Sequence, residues 1–151
     1  MNGILGLTTD RIMIQEQYVT FEVAKLLKEK DFNEEVRTYY DEFGKEHDLS
    51  DDFSDIKNTD IDAYPEFADS LDFHCTRPTQ QMAMRWLREV HNLYIEIQID
   101  YRQETNYKAL WFASILKFCS SGNIRKGNVQ NKLSYESAAE AAIKYCLENL
   151  I

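Results

Sequence analysis

Residues 86–101, WLREVHNLYIEIQIDY, carry one side-chain period and then another, and few folds accommodate that change. Up to His91 the apolar positions follow a helix. Met82, Trp86 and Val90 recur at every fourth residue, with Ala83 and Leu87 beside them. From Leu93 the period becomes two: Leu93, Ile95, Ile97 and Ile99 point one way, and Tyr94, Glu96, Gln98 and Asp100 the other. An antiparallel sheet with one face on helices and the other in water produces that alternation. A helix handing over to such a strand defines a compact α+β domain, with Trp86 and the Leu93-to-Ile99 face in its core.

The neighbouring segments extend this reading. Thr20 is placed to cap a first helix through Val23, Ala24, Leu26 and Leu27, with Glu22 where the helix dipole favours a carboxylate. Residues 36–40 and 45–49 read as a short hairpin around Gly44. The second helix starts at Pro78 or Thr79 and ends at Asn92, a residue that tolerates a left-handed conformation. After the alternating strand and a polar turn at 103–106, residues 107–118 are apolar on both faces, as in a central strand or one covered on its far face by the arm or the acidic excursion. Residues 120–132 read as a loop, and Ser134 caps a last helix through Leu150. The expected order is α-β-β-α-β-β-α in a single α+β domain over 1–151, with helices largely on one face of a mainly antiparallel sheet. Residues 1–17 form an arm or edge strand. Residues 50–72 form an ordered acidic excursion with a helical turn near 65–70, too long for an ordinary connection.

With 151 residues, 44% hydrophobic, the chain can bury a core without disulfides, since a domain this size hides about 70% of its unfolded surface. Cys75, Cys119 and Cys146 form no CxxC pair, and an odd count leaves at least one thiol free, which suits a reducing cytoplasm. No secretory leader and no membrane-length apolar run is present, so a soluble cytoplasmic protein is expected. The net charge of −9 is unevenly placed. Residues 31–72 hold fifteen acidic and three basic side chains, a balance of −12, whereas the rest hold eleven and fourteen, a balance of +3.

Motifs for chemistry fail one by one. A Cys75 nucleophile needs a base, and its chain neighbour His74 is badly placed, leaving His47 or His91 to approach in space. Zinc spacings such as CxxC and HExxH are missing. A calcium loop beginning at Asp60 would meet Tyr64, Pro65 and Leu71 where an oxygen ligand, Gly and Glu are required. Gly122 and Gly127 have Walker-like spacing, but Asn128 and Val129 follow instead of Lys and Ser or Thr. The acidic balance opposes nucleic acid, despite a local Arg77, Arg85, Arg88 and Arg102 group. Neither cofactor nor metal is expected. The aromatic residues Tyr39, Tyr40, Phe43, Tyr94, Tyr101, Tyr107 and Trp111 serve sheet packing before recognition.

Three blocks carry a resemblance: YVTFEVAKLLKEKDF at 18–32, PTQQMAMRWLREVHNLYIEI at 78–97 and SYESAAEAAIKYCLENLI at 134–151. Together they resemble a group of small proteins from gut Bacteroides-type bacteria and their phages or prophages. The group more often has Gly where this chain has Asp31, which implies a less sharply ended first helix here. The resemblance implies a bacterial or phage cytosolic setting and contributes no site residues.

The function expected from the sequence is a non-enzymatic protein-interaction module of phage or mobile-element origin. It would bind a basic protein surface through the acidic segment, with Asp51, Asp52, Asp55, Asp60 and Asp62 as contacts, or through the aromatic sheet face. The alternatives are a small enzyme assembled from Cys75, His47 and His91, and a structural homo-oligomer subunit.

Overall fold

The structure, a computed structural model, describes residues 14–63, 73–105 and 108–151, with side chains described outside 101–105 and 108. Its elements are α1 (Phe21–Glu29), β1 (Thr38–Asp41), β2 (Glu46–Asp48), α2 (Asn58–Ala63), β3 (Phe73–Thr76), α3 (Gln80–His91), β4 (Leu93–Thr105), β5 (Lys108–Cys119), β6 (Gly122–Lys132) and α4 (Tyr135–Asn149). The α+β class holds, but the strands form two antiparallel sheets, β2-β1-β3 and β4-β5-β6. None of the described helices is long and apolar enough to cross a membrane.

The helices begin where their caps put them. Thr20 accepts from Val23 N at 3.3 Å, Thr79 from Met82 N at 3.1 Å and Ser134 from Ser137 N at 3.0 Å. The approaches to α1 and α3 pair with one another: Val19 N donates to Pro78 O and Gln80 N to Gln17 O, around a Tyr18–Thr79 bridge. Where the two helices diverge, one carboxylate of α4 meets both. Glu140 accepts from Thr20 N at 2.8 Å with Oε1 and from Gln80 Nε2 at 3.0 Å with Oε2.

α1, α3 and α4 then share one core with the inner face of the long sheet. Val23, Leu27, Ala83, Leu87, Ile143 and Leu147 meet Leu93, Ala113 and Ile115 there, all essentially buried. Strand β1 is buried along its whole length. Tyr40 faces this main core and donates from its hydroxyl to Val19 O at 2.6 Å. Its neighbour Tyr39 faces the opposite way, into a smaller core with Leu49, Ile56, Ile61 and Phe73. The acidic excursion is therefore pinned by its own apolar residues. Its first part is the Val36–Ile56 bridge and α2, while the expected helical turn at 65–70 lies outside the described residues, as does most of the 1–17 arm.

The expected loop at 120–132 is instead β6, joined to β5 by a two-residue turn at Ser120 and Ser121. Its residues alternate too little to signal a strand, because it is an exposed edge held by its backbone ladder. Gly122 takes φ +117° in the turn, and Gly127 leaves room for the Tyr145 ring, which a Cβ would approach to 2.4 Å. Strand β3 was also missed: four residues are too few to display a period.

α1 ends more sharply than the Gly-to-Asp difference implied. Asp31 adopts φ +63°, with its N–H donating to Lys28 O at 3.1 Å and that of Phe32 to Leu27 O at 2.9 Å. This is a Schellman ending built without glycine. Relieving the left-handed strain with Asp31→Gly should raise stability by about 0.5–1 kcal/mol, read from a denaturant midpoint. Removing the carboxylate with Glu140→Ala should lower it by about 1 kcal/mol, since the Thr20 N–H loses its acceptor and the Gln80 amide keeps only Glu136 O. An unchanged midpoint in the second variant would show that the junction is not needed.

Candidate functional site

The three residues of the enzyme alternative do not converge. Cys75 is paired with Tyr40 and His47 with Tyr39, and adjacent positions of β1 point to opposite faces of the sheet. Cys75 is fully buried in the main core, and that burial pushes its thiol up to about 12 even though Lys28 and Lys25 pull the other way. It stays protonated at neutral pH and makes a poor nucleophile. Cys146, buried among the helices, is likewise pushed up to about 12. His47 stacks on Tyr39, with ring centroids 5.0 Å apart, and lies 2.9 Å from Asp41 Oδ2 through Nε2. His91 meets the Trp86 ring edge-on at 4.5 Å, and burial, assisted by Lys117, lowers its pKa. Among the described residues no three His, Cys, Asp or Glu side chains gather as a metal site.

The five aspartates separate into two kinds. Asp55 lies 2.9 Å from the Arg37 guanidinium, which also donates to Ser50 O and Phe53 O and so ties the turn after β2 together. Asp60 reaches back to Lys57 N at 2.8 Å, as the third residue of a capped helix does. Asp62 is 2.8 Å from Lys28 Nζ, which also donates to His74 O. These three carboxylates are bonded within the chain. Asp51 is fully exposed at 3.9 Å from Arg37, and Asp52 is exposed beside it.

The β1–β2 turn presents a residue that the sequence had assigned to packing. Asp41 Oδ1 accepts from Phe43 N and Lys45 N, both at 2.9 Å, while Oδ2 holds His47. The His47 bond first, then the backbone bonds, keep the Asp41 carboxyl below the usual carboxylate range. Gly44 completes the turn at φ +78°, where a Cβ would come within 2.7 Å of the Phe21 ring. This braced turn leaves Phe43 85% exposed at its tip. An Asp two residues before an aromatic and three before Gly is the local signal that could have indicated it.

A groove of about 500 Å³ lies along the outer side of α3. Met82, Trp86 and Val90 are part of its lining, with Glu34, Glu35 and Glu89 among its carboxylates. Trp86 is fixed from below by Phe32, edge-to-face at 5.4 Å. Val90, on the same helical stripe as Met82 and Trp86, is 59% exposed at the groove. Arg85 also lines the groove, with Nε 2.8 Å from Glu89 Oε1, and its pKa is raised by Glu89 first and then Glu34.

On the long sheet, Tyr94 meets Phe118 edge-on at 4.4 Å. Tyr39 and Tyr40 are core residues, and Trp111 packs against the core beside Tyr135. The side chains of Tyr101 and Tyr107 lie outside the described residues. Compared with protein-family models, curated proteins and solved structures, the chain matches none.

The cysteine environments make a direct forecast. Thiol titration of the native protein at mildly alkaline pH should count one reactive group, Cys119, and three in denaturant. Rapid labelling of Cys75 in the native state would return it to consideration as a nucleophile.

Proposed function

We propose that this protein is a non-enzymatic protein-interaction module whose acidic half docks on a basic surface of a protein partner, in a cytoplasmic bacterial or phage setting. The observation that carries this reading is Phe43, held out by a turn that Asp41 and Gly44 brace, within the segment whose balance is −12. An ordered aromatic loses little conformational freedom on binding, and buried aromatic anchors dominate interface energies. Glu42 flanks it directly, and Asp51 and Asp52 add charge from the turn after β2. Such a field speeds encounter with a basic patch and disfavours acidic ones.

Asp55, Asp60 and Asp62 enter this reading as supports of the surface, and Asp51 and Asp52 as contacts. Capture of partners from bacterial lysate by the immobilised chain should fall steeply between low and high salt. Asp51→Asn/Asp52→Asn and Phe43→Ala should each weaken it by tenfold or so with little change in melting temperature, about 1.4 kcal/mol of binding. Capture that ignores salt and both variants would overturn the acidic route. The face carrying Tyr94 and Phe118 would then become the interaction surface.

A further inference from the structure

We propose that the open edge of β4 pairs antiparallel with the β4 of a second copy of this chain, about a two-fold axis at Ile97. Among the described residues the two sheets have four outer strands, and three of them are closed to strand addition. β2 has only three residues, with Glu46 and Asp48 exposed. On β3, Lys28 Nζ donates to His74 O and Asn58 Oδ1 accepts from Thr76 N, both at 2.9 Å. β6 carries Arg125, Lys126 and Lys132, and its ladder with β5 shifts register twice. β4 has none of these guards. From Leu93 to Asp100 it pairs with β5 in one unbroken register, without Lys, Arg, Pro or Gly. Among the described residues, no hydrogen bond reaches its other side over 93–99.

A groove touching Tyr94, Ile95 and Glu96 lies along that edge. Successive strand residues point to opposite faces and β5 fills the inner side, so only the open edge can meet all three. Ile95, Ile97 and Ile99 share the helix face yet are only half-buried, whereas Ala113 and Ile115, across the ladder from Ile97 and Ile95, are fully buried. The apolar row stops one strand short of full cover. The charges on the wet face select a second copy as that strand. Pairing about Ile97 opposes residues 94–100 throughout: Ile97 meets itself, Ile95 meets Ile99, Glu96 meets Gln98 and Tyr94 meets Asp100. Centring on Glu96 would set it against itself, and centring on Gln98 would set Glu96 against Asp100, which like-charge repulsion disfavours. A centre at Ile95 would run into the end of α3, and one at Ile99 past the register shift after Asp100. The strand is thus complementary to itself in one register, and the contact closes as a dimer that joins the two long sheets into one. This inference is independent of the basic-partner reading, because Phe43, Asp51 and Asp52 belong to the turns of the other sheet.

The test is sedimentation velocity on the full chain over a wide concentration range, with amide hydrogen exchange followed at both ends of it. The parent should dimerise, and amides within 93–100 should gain protection as it does. Gln98→Glu should weaken the dimer about fivefold, because Glu96 then faces a carboxylate at two symmetric places. Gln98→Lys should tighten it by about the same factor, and Glu96→Lys/Gln98→Glu should recover it. Both positions are exposed, and circular dichroism checks that the variants fold. A parent that stays monomeric, leaving the edge to an extended segment of another protein, would overturn the proposal. So would a dimer that gains no protection over 93–100, or one indifferent to the sign of the charge at residue 98. None of these results bears on capture through Phe43, Asp51 and Asp52.

Discussion

The placement of the helices depends on one carboxylate. Two extended segments, 17–19 and 78–80, pair briefly and then turn into α1 and α3, each capped by a threonine. Paired in this way, two helix N-termini with their partial positive charges are brought to the same place. Glu140 answers both from the middle of α4, taking the Thr20 N–H on one oxygen and the Gln80 amide on the other. Without an acceptor there, the main core would still attract the three helices. It would specify their relative positions less firmly, because apolar burial is not directional.

Much of this architecture was legible. The three longer helices announced themselves through period and cap together, and the change of period at Leu93 located β4 within a residue of its start. Two-faced apolar character correctly marked β5 as central. What escaped had a common physical cause. Strand β3 owes its existence to β1, distant in the chain, and β6 to the ladder of its neighbour β5, neither of them to its own pattern, and nothing local reveals that β1 belongs to one sheet and β5 to another. The same holds for the candidate contacts. Whether an aspartate is bonded within the fold depends on Lys28 or Arg37 standing across from it, and the spacing of carboxylates along a chain carries no trace of that. Val90 shows the converse: its period fits a buried stripe, yet its side chain is 59% exposed.

Arg77 shows how the smaller sheet is joined to the rest. Its guanidinium lies 3.9 Å from the Tyr18 ring centroid and 5.6 Å from that of Tyr40, while one nitrogen is 3.1 Å from Glu46. The cation thus binds the segment before α1, the central strand and the edge strand at once. Arginine suits such a position because its flat, weakly hydrated head stacks on aromatic faces while still donating to a carboxylate.

Strand β1 has a consequence for how this molecule opens. Tyr39 and Tyr40, consecutive residues, belong to different cores. A partial unfolding that released the smaller core would have to peel β2, α2 and the intervening turns away while leaving β1 behind, with the Tyr39 face suddenly wet. A larger one that took β1 along would pull Tyr40 from the main core. Neither boundary is a cheap place to divide the chain, so the acidic half has no natural seam at which to melt alone. An acidic lobe that would repel itself when isolated is in this way kept folded by the stability of its neighbour, and the two sheets rise and fall as one cooperative unit.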